Sequence, residues 1–148
     1  MSLLFRRPLV SLICASSVLV ACTISDTAVP EADFFSARTQ ARVYALDGKT
    51  FEVVPPLGAE AGAYWCAASE FARRELGADW SREIYVKKGR AASVVTGRIE
   101  TITFSLEEVA RDTPEPLIRR TFSYKPGDSF TVASAESSCR DLEPFFFF

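Results

Sequence analysis

The chain has 148 residues, 48% of them hydrophobic and 24% charged, with 17 basic and 19 acidic side chains for a formal net charge of −2. That length builds one hydrophobic core but not a two-domain enzyme with a separate cofactor module, and the near-even charge balance gives no global attraction to nucleic acid. Histidine is absent, which removes the commonest general base, the commonest metal ligand and the usual activator of a Ser or Cys nucleophile, so no catalytic constellation, metal or cofactor is expected.

The first 22 residues carry Arg6 and Arg7, then an apolar run from Pro8 to Val20, then the small Ala21 before Cys22. Basic start, apolar run and small residue follow the order of an export signal, and the run is shorter than the ~20 residues a membrane-spanning helix needs. Leu19-Val20-Ala21-Cys22 resembles the lipobox of bacterial lipoproteins. The resemblance implies that residues 1–21 are a signal peptide removed on export, and that Cys22 receives a diacylglyceryl group and becomes an acylated amino terminus. The mature chain would then be tethered to the membrane without spanning it, because two or three acyl chains, at ~0.8 kcal/mol per buried CH₂, hold where one does not. Thr23, where Asp tends to retain such lipoproteins at the inner membrane, implies the periplasmic face of the outer membrane. The other reading of these residues is an ordinary secretory signal cut near Ala21, with Cys22 a free thiol.

If the lipoprotein resemblance holds, Cys14 leaves with the signal and Cys22 is lipidated, so Cys66 and Cys139 remain. Two cysteines in an oxidising compartment point to one disulfide, which over so long a loop contributes about 4 kcal/mol on chain-entropy grounds. The competing reading is a reactive Cys66 thiol, for which the chain offers neither a CxxC partner nor a histidine. A zinc site lacks its four soft ligands.

Residues 22–37 read as the lipidated terminus and a flexible tether, leaving 38–148 as a single domain. From Arg42 an apolar run reaches Asp47-Gly48, after which Phe51 and Val53 alternate with Thr50 and Glu52. Asp-Gly between two such runs predicts a hairpin with a type I′ turn, and Pro55-Pro56 ends its second strand. Gly62–Leu76 is helical by periodicity: Tyr64, Trp65, Ala68, Phe71, Ala72 and Leu76 share one face, Ser69, Glu70, Arg73 and Arg74 the other, and Gly77 supplies the stop. Cys66 falls on the polar side, which suits a disulfide to a segment crossing the helix's outer surface better than a core thiol.

Arg82–Lys87 and Gly97–Leu106 read as a second hairpin, with a slip in period between Ile99 and Ile102 that places a bulge near Glu100. Pro114 and Pro116 mark a break. Arg119–Tyr124 and Phe130–Ala133, joined through a Pro126-Gly127 type II turn, form a third expected hairpin. The fold class is therefore α+β: an antiparallel sheet of about six strands in hairpins with one covering helix. The stretch from Tyr64-Trp65-Cys66-Ala67 to Phe104-Ser105-Leu106 resembles small uncharacterised bacterial envelope proteins, which implies a shared fold and no particular activity.

Two features stand out as candidate interaction sites. Lys87, Lys88 and Arg90 lie in a stretch with Arg73, Arg74, Arg82 and Arg98 that is basic within an acidic mature chain, and such a zone suits an anionic polymer or head group, or simply a solvated strand edge. Phe145, Phe146, Phe147 and Phe148 end the chain, and an apolar run of that kind folds back on the domain, enters a lipid interface or occupies a partner's groove. A Ser93 pairing with Lys87 or Lys88 is the one conceivable nucleophile dyad, and the spacing does nothing to bring it together. The expected function is a lipid-anchored periplasmic binding or structural module, partnered by the membrane through Cys22 and by an envelope protein or anionic polymer, with no nucleic acid. The alternative is a small envelope enzyme or small-ligand-binding domain.

Overall fold

A computed structural model of the protein describes residues 28–111 and 123–142. Within them run β1 (Phe34–Ser36), β2 (Ala41–Ala45), β3 (Thr50–Val54), α1 (Ala61–Arg74), β4 (Glu83–Ala91), β5 (Thr101–Ser105), β6 (Ser129–Thr131), α2 (Val132–Ser137) and a closing 3-10 turn, Arg140–Leu142. The strands form one sheet in the order β1-β2-β3-β5-β4-β6, antiparallel at every step. The fold is α+β, an open six-stranded antiparallel sheet with α1 packed across one face. No helix among the described residues is long and apolar enough to cross a membrane.

The period of two decides which face α1 covers. Pairing of Val43 with Val53, Val53 with Ile102, Phe51 with Phe104 and Phe104 with Val86 aligns these side chains on one side of the pleat. Trp65 of α1 meets Phe104 at 5.0 Å and Phe130 edge-on at 4.8 Å, and Phe71 meets Phe51 at 4.8 Å. Burying each such ring contributes about 1.5–3 kcal/mol, with a further ~0.5–1.5 kcal/mol from tilted ring pairs. The helix ends at Arg74, two residues before the expected Leu76, and the Gly77 stop follows it. Gly77 takes φ +64°, and the Ala78 N–H reaches back to the Ala72 carbonyl at 2.9 Å.

Several local expectations change. The first hairpin forms around Asp47, but Gly48 is not left-handed; the Asp47 carboxylate instead accepts the N–H groups of Lys49 and Thr50 at 2.8 and 2.7 Å, closing a wider turn. The bulges lie on β4, between Val86 and Lys88 and between Lys88 and Ala91, not near Glu100. What slips the period between Ile99 and Ile102 is the left-handed Glu100 itself, at φ +66°, which turns Ile99 outward before β5 begins.

The Lys125-Pro126-Gly127-Asp128 turn has its type II form, with Gly127 at φ +85° and the Asp128 N–H bonded to the Lys125 carbonyl at 3.0 Å. It closes no third hairpin: Ser123 and Tyr124 are not in a strand, and β6 pairs with β4. The rest of the expected Arg119–Tyr124 strand lies outside the described residues. Val132 begins a helix instead of extending β6, because the Thr131 hydroxyl accepts the Ser134 N–H and caps α2.

The expected tether also runs shorter than residue 37. Asp33 accepts the Ala45 N–H at 2.8 Å and Phe34–Ser36 pair as the edge strand. Nor is the polar side of α1 solvated: every residue from Ala63 to Ala72 is buried. The reason is α2 and the 3-10 turn, which lie across the helix's outer surface and carry Cys139 to Cys66, the sulfurs 2.10 Å apart and both cysteines sealed from solvent. The crossing segment foreseen from the position of Cys66 is there, and it closes over the bond.

Candidate functional site

The structure distributes the basic stretch rather than gathering it. Lys87 and Lys88 are exposed, and Lys87 Nζ reaches Thr50 Oγ1 at 3.3 Å on the sheet face away from α1. Arg90 turns the other way. Its guanidinium stands 5.3 Å from the Tyr64 ring and 5.5 Å from the Tyr124 ring, beside Glu100 at 3.9 Å. Burial pushes both phenols up from their ordinary pKa while the Arg90 charge partly opposes it, and the Tyr124 hydroxyl donates to the Ala61 carbonyl. Arg73 stacks on Trp80 at 3.6 Å, Arg74 pairs with Glu70, and Arg82 donates to the Leu106 carbonyl at 2.6 Å. Lys87, Arg90, Arg73, Arg74 and Arg82 thus each have a local partner. Cys22 and Phe145–Phe148 lie outside the described residues.

The Ser93 dyad does not form. Ser93 Oγ donates to the buried Glu52 carboxylate at 2.7 Å and accepts the N–H groups of Val95 and Thr96, while Lys87 sits at Thr50. Glu52 also accepts the Val94 N–H, so its role is to hold the β4–β5 connection against β3. A second buried carboxylate, Glu70, accepts from Ser36 Oγ at 2.6 Å with Arg38 and Arg74 nearby, and Arg38 reaches on to Glu136 at 3.0 Å. Ser69 completes this network by donating to Glu136 at 2.9 Å. It ties β1, α1 and α2 together. Structural satisfaction is the chemistry of both carboxylates.

The open polar site lies elsewhere, at the end of the sheet where α1 hands over to β4. After the Gly77 stop, residues 78–82 turn, with the Arg82 N–H on the Asp79 carbonyl, and enter β4. The Leu106 N–H binds the Lys49 carbonyl as β5 ends. Between these segments opens a cleft of about 500 Å³ lined by Asp79, Ser81, Arg82, Glu83, Tyr85, Leu106 and Glu108. A neighbouring hollow of about 340 Å³ shares Asp79, Arg82 and Leu106 and extends to Lys49, Leu76 and Ala78.

The balance of charge in the cleft is negative. Asp79, Glu83 and Glu108 face one cation, Arg82, whose guanidinium is engaged by the Leu106 carbonyl, and at the rim Lys49 is paired with Glu107 at 2.7 Å. One oxygen of Glu83, Oε2, is buried with no hydrogen-bond partner. The Tyr85 phenol is pushed above its ordinary pKa, first by burial and then by the charges of Glu83 and Glu108. Both carboxylates therefore act on the same hydroxyl. Among the described residues no three acidic, His or Cys groups converge to hold a metal ion. The cleft can bind and orient a ligand. Its residues come from 79–85 and 106–108, segments joined only by the strand order, so no motif announces them.

Set against family models, characterised proteins and solved structures, the chain matches none.

Proposed function

We propose that the protein is a lipid-anchored binding module on the periplasmic side of the cell envelope, held to the membrane through Cys22 and presenting its small domain to a ligand. The observation that carries this reading is the buried Cys66–Cys139 disulfide, since such bonds form and persist in exported chains and are rare in reducing compartments. It agrees with the export order of residues 1–22. A binding role suits a domain with an open polar cleft, and the assignment to the periplasmic face of the outer membrane rests on Thr23.

The test compares the native chain with Cys22→Ser. Expression in a two-membrane bacterium should place the native protein in the membrane fraction, resistant to high salt, with a mass showing an acylated Cys22 and oxidised Cys66 and Cys139. Cys22→Ser should appear soluble in the periplasm with the disulfide intact. An unacylated Cys22, or a reduced pair in the cytoplasm, would overturn the proposal.

A further inference from the structure

The sheet face away from α1 is closed at its centre and open at one margin. Phe34 packs on Phe71, so Phe35 points to the opposite side of the pleat, where it stands across from Arg42. Arg42 and Tyr44, on that same face, line a hollow of about 280 Å³ with Val29, Pro30, Glu31 and Ala32. Val94 overlies the face as well, its N–H held by Glu52, the residue paired with Tyr44. Three apolar side chains therefore stand here with most of their surface uncovered, Val29 at 60%, Phe35 at 56% and Val94 at 70% exposure. Exposed Arg42 lies beside Phe35, and exposed Lys88 shares the row of Tyr44, Glu52 and Thr103.

Charge alone does not decide what covers this margin, because Glu31 and Asp33 offset the two cations. The path of the chain does. Val29 and Pro30 lie beside Arg42 and Tyr44, so the polypeptide quits the domain at this margin on the side of Cys22. Ala28 stands six positions after Cys22, a span of at most about 22 Å even when fully extended. An acylated Cys22 sits at the bilayer interface, so this margin is kept within that reach of lipid, with α1 on the far side of the sheet. Apolar side chains held there enter the acyl boundary, while the long stems of arginine and lysine let their charges stay at the phosphates.

We propose that the domain docks on the lipid surface by this margin, with Phe35, Val29 and Val94 dipping into the interface and Arg42 and Lys88 meeting lipid phosphates. The docking rests on the acylated Cys22 of the preceding reading and goes beyond it, since an anchor by itself fixes no orientation.

Full-length acylated protein in vesicles of phosphatidylethanolamine and phosphatidylglycerol tests it, with bromine on the acyl chains to quench tryptophan. The native chain is the control: Trp65 is buried and Trp80 stacks on Arg73 of α1, so its emission should be equal in brominated and plain vesicles. Phe35→Trp and, independently, Val94→Trp should each add emission that shifts to the blue on vesicles and is lost in brominated lipid. Combining Phe35→Asp with Val94→Trp should reduce that loss. Arg42→Gln and Lys88→Gln should reduce it too, each by about fivefold in the docked-to-undocked ratio, as removal of a cation near an anionic surface does. No quenching at either position, quenching of the native protein, a blue shift of Phe35→Trp without quenching (the mark of a protein neighbour on this margin), or a Val94→Trp signal indifferent to Phe35→Asp at unchanged melting temperature would overturn the docking. The mass of the same preparation separates the two readings: an unacylated Cys22 fails the anchor and the docking together, and an acylated protein without quenching fails the docking alone.

Discussion

The two faces of the sheet are built from the same strands and held by different physics. Toward α1, Phe51, Phe104, Val53 and Ile102 bury hydrocarbon and ring surface against Trp65 and Phe71, an attraction without direction that scales with area. Away from α1, the intervening residues of β3 and β5 are Thr50, Glu52, Thr101, Thr103 and Ser105, and they are buried as well. There stability depends on each donor finding its acceptor. The pairing of an apolar and a polar buried face shows that alternation along a strand need not mean one wet side: the second face is closed by directional contacts such as those of Ser93 and Val94 to Glu52.

The comparison breaks most visibly at Phe104, which touches Phe51 and Trp65 together. Phe104→Ala should lower the unfolding free energy by about 3–5 kcal/mol, read from the urea midpoint at unchanged m-value, because the cavity adds to the lost transfer energy. On the polar face Glu52→Ala should cost about 1–3 kcal/mol by stranding the Ser93 hydroxyl and the Val94 N–H. Faster amide exchange confined to residues 93–96 would locate that loss in the β4–β5 connection, while Phe104→Ala should raise exchange throughout the sheet.

At the rim both faces give way to solvent, and Lys49→Ala should leave the melting temperature within error, since exposed pairs are heavily screened. Its effect is on titration. The Lys49 hydrogen bond, followed by its charge, holds the Glu107 carboxyl below its ordinary pKa. The stabilisation linked to that lowering is present above the unfolded carboxylate pKa and fades as pH falls through the folded one. Lys49→Ala should move the Glu107 NMR titration back upward and remove that fading.

Particular residues show what the sequence could reveal. The 3.6-residue spacing from Tyr64 to Leu76 and the period of two through Phe51-Val53 and Ile102-Phe104 are local signals, so α1, β3 and β5 were legible, as was the Gly77 stop. The strand order was not, because β3 meets β5 only after α1 and β4 have intervened, and no neighbouring residue encodes that. Ser69 and Glu70 looked solvated because their partners, Glu136 and Ser36, are distant in the chain. Arg90 looked like part of a basic patch because sequence adjacency to Lys87 and Lys88 hides the two bulges in β4 that reorient it. The cleft was illegible for a similar reason: Glu83 and Glu108 become neighbours only when β4 and β5 pair.

The Cys66–Cys139 bond joins positions 73 apart, so the oxidised chain, once denatured, is a lasso and not a line. Its noose carries β4, β5, β6 and α2, its free end carries β1, β2 and β3, and α1 straddles the knot. The β3–β5 ladder is the seam along which open rope is laid against closed ring. Hydrodynamically, the unfolded oxidised protein behaves as a shorter polymer than its reduced form, and a denaturing gel run with and without reductant separates the two topologies of one molecule.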